Sequence, residues 1–248
     1  MLGASGQRRG AAALALCLAA ALLVRLVLSV PAPAALPADA AAALPPEGAK
    51  LIALTFDDGP RRSTTTKLLD GLAERGVHAT FFLIGAQIEG SEDLVLRMDQ
   101  EGHQIGIHTF DHVRLTGLSA TDFAGQVDRT RTLLEHILGH DSFLLRPPYG
   151  MIDRGVELRA GAPIILWSVD PEDWRDRDTA REVSHILSQA RDGSIVLLHD
   201  IYPESVEAAL QVVDALHQEG YLFCTVEELF SARMIPLKDG EVYRSAYP

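Results

Sequence analysis

From about residue 50 onward the chain alternates short apolar runs with longer amphipathic stretches. The runs at 51–55, 79–84, 104–108, 142–145, 163–169, 194–198 and 221–223 have few charges and read as buried strands. Between them, 63–75, 91–101, 119–138, 178–191 and 204–219 repeat apolar positions at helical spacing. Ser119 followed by Asp122 resembles a capping box, and Gly102 and Gly220 follow Glu101 and Glu219 as helix-ending glycines. Strand–helix alternation of this kind predicts an α/β fold with about seven parallel strands.

The polar residues sharpen that picture. Asp57 and Asp58 follow the first run, His108 and His112 the third, and Arg146 the fourth. Asp170 and Asp173 follow the fifth, and His199 and Asp200 the sixth. Five strand ends contributing polar groups favour a barrel, whose strand C-termini converge on one face, over an open sheet, which gathers only the loops at its switch point. No glycine-rich nucleotide fingerprint follows any strand.

The N-terminal region differs in composition. Arg8 and Arg9 precede an Ala/Leu run from Ala11 to Val24; Arg25 interrupts it, Leu26 to Val30 resumes it, and Ala32-Pro33-Ala34 offers small residues for cleavage. This predicts a signal peptide or an N-terminal membrane anchor over 1–34, then an Ala/Pro-rich linker over 35–49. The protein is therefore expected to be exported: secreted, periplasmic, or anchored facing away from the cytoplasm. The catalytic domain is expected over 50–233, and the tail at 234–248 matches no motif.

Charge and cysteine content narrow the function. Net charge is −12 over 248 residues, and residues 1–34 hold three arginines and no acid, leaving −15 on the rest. Such a surface repels phosphate backbones and argues against a nucleic-acid partner. Beyond the N-terminal region Cys224 stands alone within an apolar run, which predicts a buried thiol and no internal disulfide.

Thr55-Phe56-Asp57-Asp58-Gly59-Pro60 places two carboxylates at a strand end before a turn. Adjacent extended side chains point to opposite sides, so one carboxylate can bind a metal while the other handles a proton. His108 and His112 are four residues apart, which on a helical turn puts both imidazoles within reach of one ion. With Asp58 they form a two-histidine, one-carboxylate set that leaves coordination positions open. One divalent first-row ion is expected, and zinc, cobalt or nickel all fit this ligand set. Asp57 is the candidate general base, with Arg146 holding a carboxylate in place through its guanidinium fork. His199, ending a buried strand, is the candidate general acid, oriented and raised in pKa by Asp173. Trp167, Trp174, Tyr149 and Leu197 supply flat apolar surface that suits either a ligand cleft or the core, with Trp167 expected in the core.

These five clusters, in this order, resemble the polysaccharide deacetylases of carbohydrate esterase family four, which share the NodB homology domain. Thr55–Pro60, His108–His112, Arg146–Tyr149, Asp170–Trp174 and Leu197–Asp200 match the family's five motifs, and the resemblance covers about residues 50–230. It implies a distorted (β/α) barrel and a metal-dependent hydrolase that removes acetyl groups from sugars. It implies Asp57 as base, Asp58, His108 and His112 as metal ligands, and Arg146 as the brace of the base. It likewise implies Tyr149 as oxyanion donor through its backbone N–H, Asp173 as tuner of the acid His199, and Trp174 and Leu197 at the acetyl pocket. Ile107 departs from a polar residue common in the family at that position. The expected substrate is an N-acetylglucosamine-containing glycan, acted on by a monomer. An O-acetyl esterase, a small-molecule amide hydrolase or an idle sugar-binding site are the alternatives.

Overall fold

β1, Lys50–Asp57, is buried from Leu51 to its end because the sheet flanks it and side chains cover both faces. Its alternation sorts the core. Ile52, Leu54 and Phe56 pack into the large outer cluster under the helices, and Leu51 and Ala53 into a smaller inner one. Asp57, two residues beyond Thr55, shares the inner face. The computed structural model describes residues 48–247.

The remaining elements in chain order are α1 (Arg62–Arg75), β2 (Thr80–Leu83), α2 (Gly85–Ile88), α3 (Glu92–Gln100), β3 (Gln104–Ile107) and α4 (Ala120–Leu138). Then come β4 (Leu144–Leu145), a 3₁₀ turn (Pro148–Gly150), α5 (Arg154–Arg159), β5 (Ile164–Ile165) and α6 (Asp173–Asp176). The chain ends with α7 (Thr179–Gln189), β6 (Ser194–His199), α8 (Pro203–Gln218), β7 (Tyr221–Phe223), α9 (Val226–Ala232) and β8 (Val242–Tyr243). The strands pair in parallel in the order β6-β1-β2-β3-β4-β5-β8, and β7 pairs with the start of β1. The expected (β/α) barrel is present in distorted form, with eight strands in the sheet among the described residues.

The eighth strand lies in the tail that carries no motif. β8 runs beside β5, and just after it Ser245 bridges to Ser194 of β6, while the Ala246 N–H donates to the Gly193 carbonyl at 2.8 Å. The tail thus fills the gap between the first and last strands of the curled sheet. Two expected strands, β4 and β5, keep only two residues each of their apolar runs. After Ile165 the chain leaves the ladder, and Ser168 and Val169 cross to β6, where the Leu197 N–H donates to the Val169 carbonyl at 2.9 Å.

The helices form where their apolar stripes meet the sheet. On α8, Val206, Ala209, Val213 and Leu216 recur at three- and four-residue spacing and are buried, with Pro203 in the first turn. Ser119 caps α4 by accepting from the Asp122 N–H at 3.1 Å, and Gly139 closes the helix in the left-handed region. A complete capping box is found instead at Thr225 and Glu228, on α9. Cys224 is a buried free thiol, raised to about 12 by burial. Residues 1–47, with the expected targeting segment and most of the linker, lie outside the described residues. Among the described residues no helix is long and apolar enough to cross a membrane.

Candidate active site

Asp57 is the last residue of β1, and Asp58 follows in the left-handed region at φ 73°. That reversal splits the adjacent carboxylates. Asp57 stays on the inner face, and Asp58 Oδ1 swings to 3.5 Å from His108 Nε2 and 3.3 Å from His112 Nε2. Gly59 makes the turn possible, since a Cβ there would collide with the Asp200 carboxylate beneath it. Asp200 is fully buried, accepts from the Thr65 hydroxyl, and is pushed up to about 7, chiefly by burial.

His108 and His112 do come together, but not on a helical turn. Residues 108–112 form an irregular loop with Thr109 at φ 67° and His112 at φ 55°. Gln126 of α4 holds the loop from outside: its Oε1 accepts from the Phe110 and Asp111 N–H groups at 3.1 and 2.9 Å. From the other side, the Gly85 and Ala86 N–H groups donate to the Thr109 and Phe110 carbonyls. The fixed loop, rather than helical periodicity, sets the spacing of the imidazoles.

The donor set fits a cation. Asp58 Oδ1, one nitrogen of His108 and one of His112 lie within 4.8 Å of one another. His108 Nδ1–H donates to the Arg146 carbonyl at 2.7 Å, which leaves the Nε2 lone pair facing Asp58. Burial lowers the His108 pKa against the pull of Asp57 and Asp58, so the ring is a neutral ligand rather than an ion-pair partner. Asp58 Oδ1 is buried without a hydrogen-bond donor. Lone pairs that face one another across a buried gap need a positive charge between them.

Arg146 is wholly buried and braces Asp57 through one bond, Nη1–H to Oδ1 at 2.8 Å, rather than through both arms of its fork. Nη1 also donates to Thr55 Oγ1 at 2.7 Å, Nε to the Ile165 carbonyl at 3.0 Å, and Nη2 to the Leu166 carbonyl at 3.1 Å. The guanidinium lies 4.1 Å from the Phe82 ring centre, and Gly106 leaves room for that ring. Every face of the cation is engaged, which compensates the burial that lowers its pKa.

His199 ends β6 opposite Asp57. Its Nδ1 lies 2.8 Å from Asp173 Oδ1, and its backbone N–H donates to Asp173 Oδ2 at 2.8 Å. Burial alone would lower this imidazole, but the Asp173 hydrogen bond and charge, with Asp57 and Asp58 behind them, outweigh it and push the pKa up to about 9. Asp173 is itself wholly buried, and its Oδ1 also accepts from the Trp174 N–H at 3.0 Å.

A cleft of about 430 Å³ opens over these groups, lined by Tyr149, Trp167, Asp170, Trp174, Leu197 and Tyr202 as well as the polar residues. Tyr149 sits in the 3₁₀ turn at φ 63°, 63% exposed, with its ring centre 4.9 Å from that of His112. Trp174 is half exposed on the rim and Leu197 is buried at the floor. Trp167, expected in the core, is partly buried and also forms a wall of the cleft. Sequence reasoning passed over Gln126 and Tyr202. Neither stands within a motif, although Tyr202 follows His199 by three residues.

Fold and site together define a β/α barrel with a two-histidine, one-carboxylate centre flanked by a braced carboxylate and a paired imidazole. The family model described as polysaccharide deacetylase matches residues 45–162. The peptidoglycan-N-acetylmuramic acid deacetylase PdaC of Bacillus subtilis is 41% identical over 180 residues, covering 73% of this chain and 38% of PdaC. A peptidoglycan-N-acetylglucosamine deacetylase of Bacillus cereus is 35% identical over 192 residues, covering 74% of this chain and 90% of its own length. The solved structure of T48 deacetylase with substrate superposes with a TM-score of 0.75 at 40% identity, covering 79% of this chain and 96% of that one. The chain belongs to the polysaccharide deacetylase family. It spans well under half the length of PdaC.

Proposed function

We propose that this domain is a metal-dependent deacetylase that removes N-acetyl groups from an N-acetylglucosamine-containing glycan outside the cytoplasm, releasing acetate. The observation that carries this is the placement of Asp57 and His199, a candidate base and acid, beside one cluster of metal-type donors in a single cleft. The peptidoglycan deacetylases among its relatives support the substrate class and the extracytoplasmic setting.

Asp58, His108 and His112 would hold the ion. A divalent cation there supplies Lewis-acid polarisation and lowers the pKa of water from 15.7 toward ~7. Asp57, held by Arg146, takes a proton from the water that attacks the acetyl carbonyl carbon. The oxyanion that forms is met by the Tyr149 backbone N–H. His199, protonated through its pairing with Asp173, gives its proton to the sugar nitrogen as the C–N bond breaks. Acetate and a free amino sugar leave. Trp174 and Leu197 bound the space for the acetyl methyl group, and Tyr149 and Trp174 offer ring faces to neighbouring sugars. Zinc suits the donors, and cobalt or nickel would serve the same set.

Acetate release measured across matched N- and O-acetylated glycans tests the reading. Turnover confined to O-acetylated polymers would replace it with an esterase.

A further inference from the structure

Two arginines with no role in the chemistry above contact the Ile201-Tyr202 segment beside the cleft. Tyr202 lines the cleft, and the Arg177 guanidinium lies over its ring, 4.3 Å from the centre. Next to Tyr202, the Ile201 carbonyl accepts from Arg61 Nη1 at 3.0 Å. Among the described residues neither arginine is paired with a carboxylate. The acids beside Arg177 are already engaged: Arg175 takes Glu172 and Asp176, Arg181 also takes Asp176, and Asp178 caps α7.

The backbone delivers Arg177 to this place. α6 is a single turn bracketed by Glu172 at φ 55° and Arg177 at φ 51°, both in the left-handed region. Such a conformation costs a non-glycine residue about 1 kcal/mol or more. The reversal at each end sets Asp173 against His199 and brings Arg177 back over Tyr202. A guanidinium stacked on a ring keeps its N–H edge free for a planar carboxylate. The rest of the domain is strongly acidic and disfavours anions elsewhere on its surface. Two cations free of carboxylate partners beside one cleft suit a substrate that is both acetylated and negatively charged.

We infer that Arg177 and Arg61 form an anion subsite for a carboxylate borne by the glycan next to the acetamido group undergoing hydrolysis. This rests on the deacetylase reading and narrows its substrate to peptidoglycan rather than a neutral chitin-like polymer. Two wall carboxylates share that chemistry: the lactyl ether of a muramic residue and the stem peptide.

The test compares acetate release from three substrates: neutral chitooligosaccharide, peptidoglycan strands stripped of stem peptides, and strands that retain them. Wild type is set against Arg177→Gln, Arg61→Gln, the double variant and Arg177→Lys. The expected result is a drop of roughly fivefold in the anionic-to-neutral ratio of kcat/KM for the double variant, carried by KM and diminished by salt, with Arg177→Lys between. A drop on stripped strands assigns the lactyl group, and one confined to strands with stems assigns the peptide. An unchanged ratio overturns the subsite and leaves the deacetylase reading standing. Absence of release from all three substrates sinks both.

Discussion

Asp57 and His199 are register partners on adjacent parallel strands, the last pair of the β1–β6 ladder, and their side chains share the inner face of the sheet. A proposed base and a proposed acid set side by side at the same height can act from two sides of one substrate bond. Asp57→Asn keeps the shape and an acceptor for Arg146 but cannot take a proton. Turnover should fall roughly 10²–10⁴-fold with metal content retained. Loss of the anion beside a buried guanidinium should also cost about 1–3 kcal/mol of stability. Kinetics paired with metal analysis separates the two effects; a variant that keeps its rate removes Asp57 as the base.

Asp173 controls the protonation of His199. Burial lowers the imidazole pKa, and the Asp173 bond and charge raise it to about 9, so the protonated acid is present through neutral pH and lost as pH rises toward that value. A dication held by Asp58 would cancel part of the pull from that carboxylate and lower the His199 pKa. Asp173→Asn leaves burial unopposed by its main partner. The alkaline limb of kcat/KM should move down by about one pH unit or more. An unmoved limb with reduced rate would assign Asp173 a structural role only.

Glu182 on α7 is wholly buried, and neither carboxylate oxygen has a hydrogen-bond partner. Burial first, then the nearby charge of Asp173, pushes its pKa up to about 7 from 4.5. A carboxyl raised in the folded state binds extra protons on folding. Its contribution is fully present below about 4.5 and is lost as pH rises through about 7. Glu182→Gln should therefore be more stable than wild type at pH 8, by about 1–3 kcal/mol, with little difference at pH 5. Thermal melts at the two pH values check this, and equal gains at both would point to packing instead.

The strands and the residues at their ends were legible because both obey simple rules. β1 and β6 are uninterrupted apolar runs, and Asp57, His108, Arg146 and His199 stand at or just after strand ends. What the sequence hides is conformation that its residue types disfavour. Asp58, Thr109, His112 and Tyr149 occupy the left-handed region without being glycine, held there by contacts such as those of Gln126, sixteen positions from Phe110. The truncation of β5 has a similar cause: its run continues to Val169, yet the carbonyls of Ile165 and Leu166 turn to Arg146. β8 is two residues long and stable only beside β5, so no local pattern announces it.

The measurement that bears most directly on the central claim is metal-dependent acetate release by the purified protein from an N-acetylated glycan. The protein is stripped by chelation, then titrated with zinc or cobalt, with His108→Ala run in parallel. The prediction is loss of release on stripping, recovery at one ion per chain, and neither tight binding nor activity in His108→Ala. Full activity in the stripped protein, or in His108→Ala, would contradict the assignment of Asp58, His108 and His112 as the catalytic metal site.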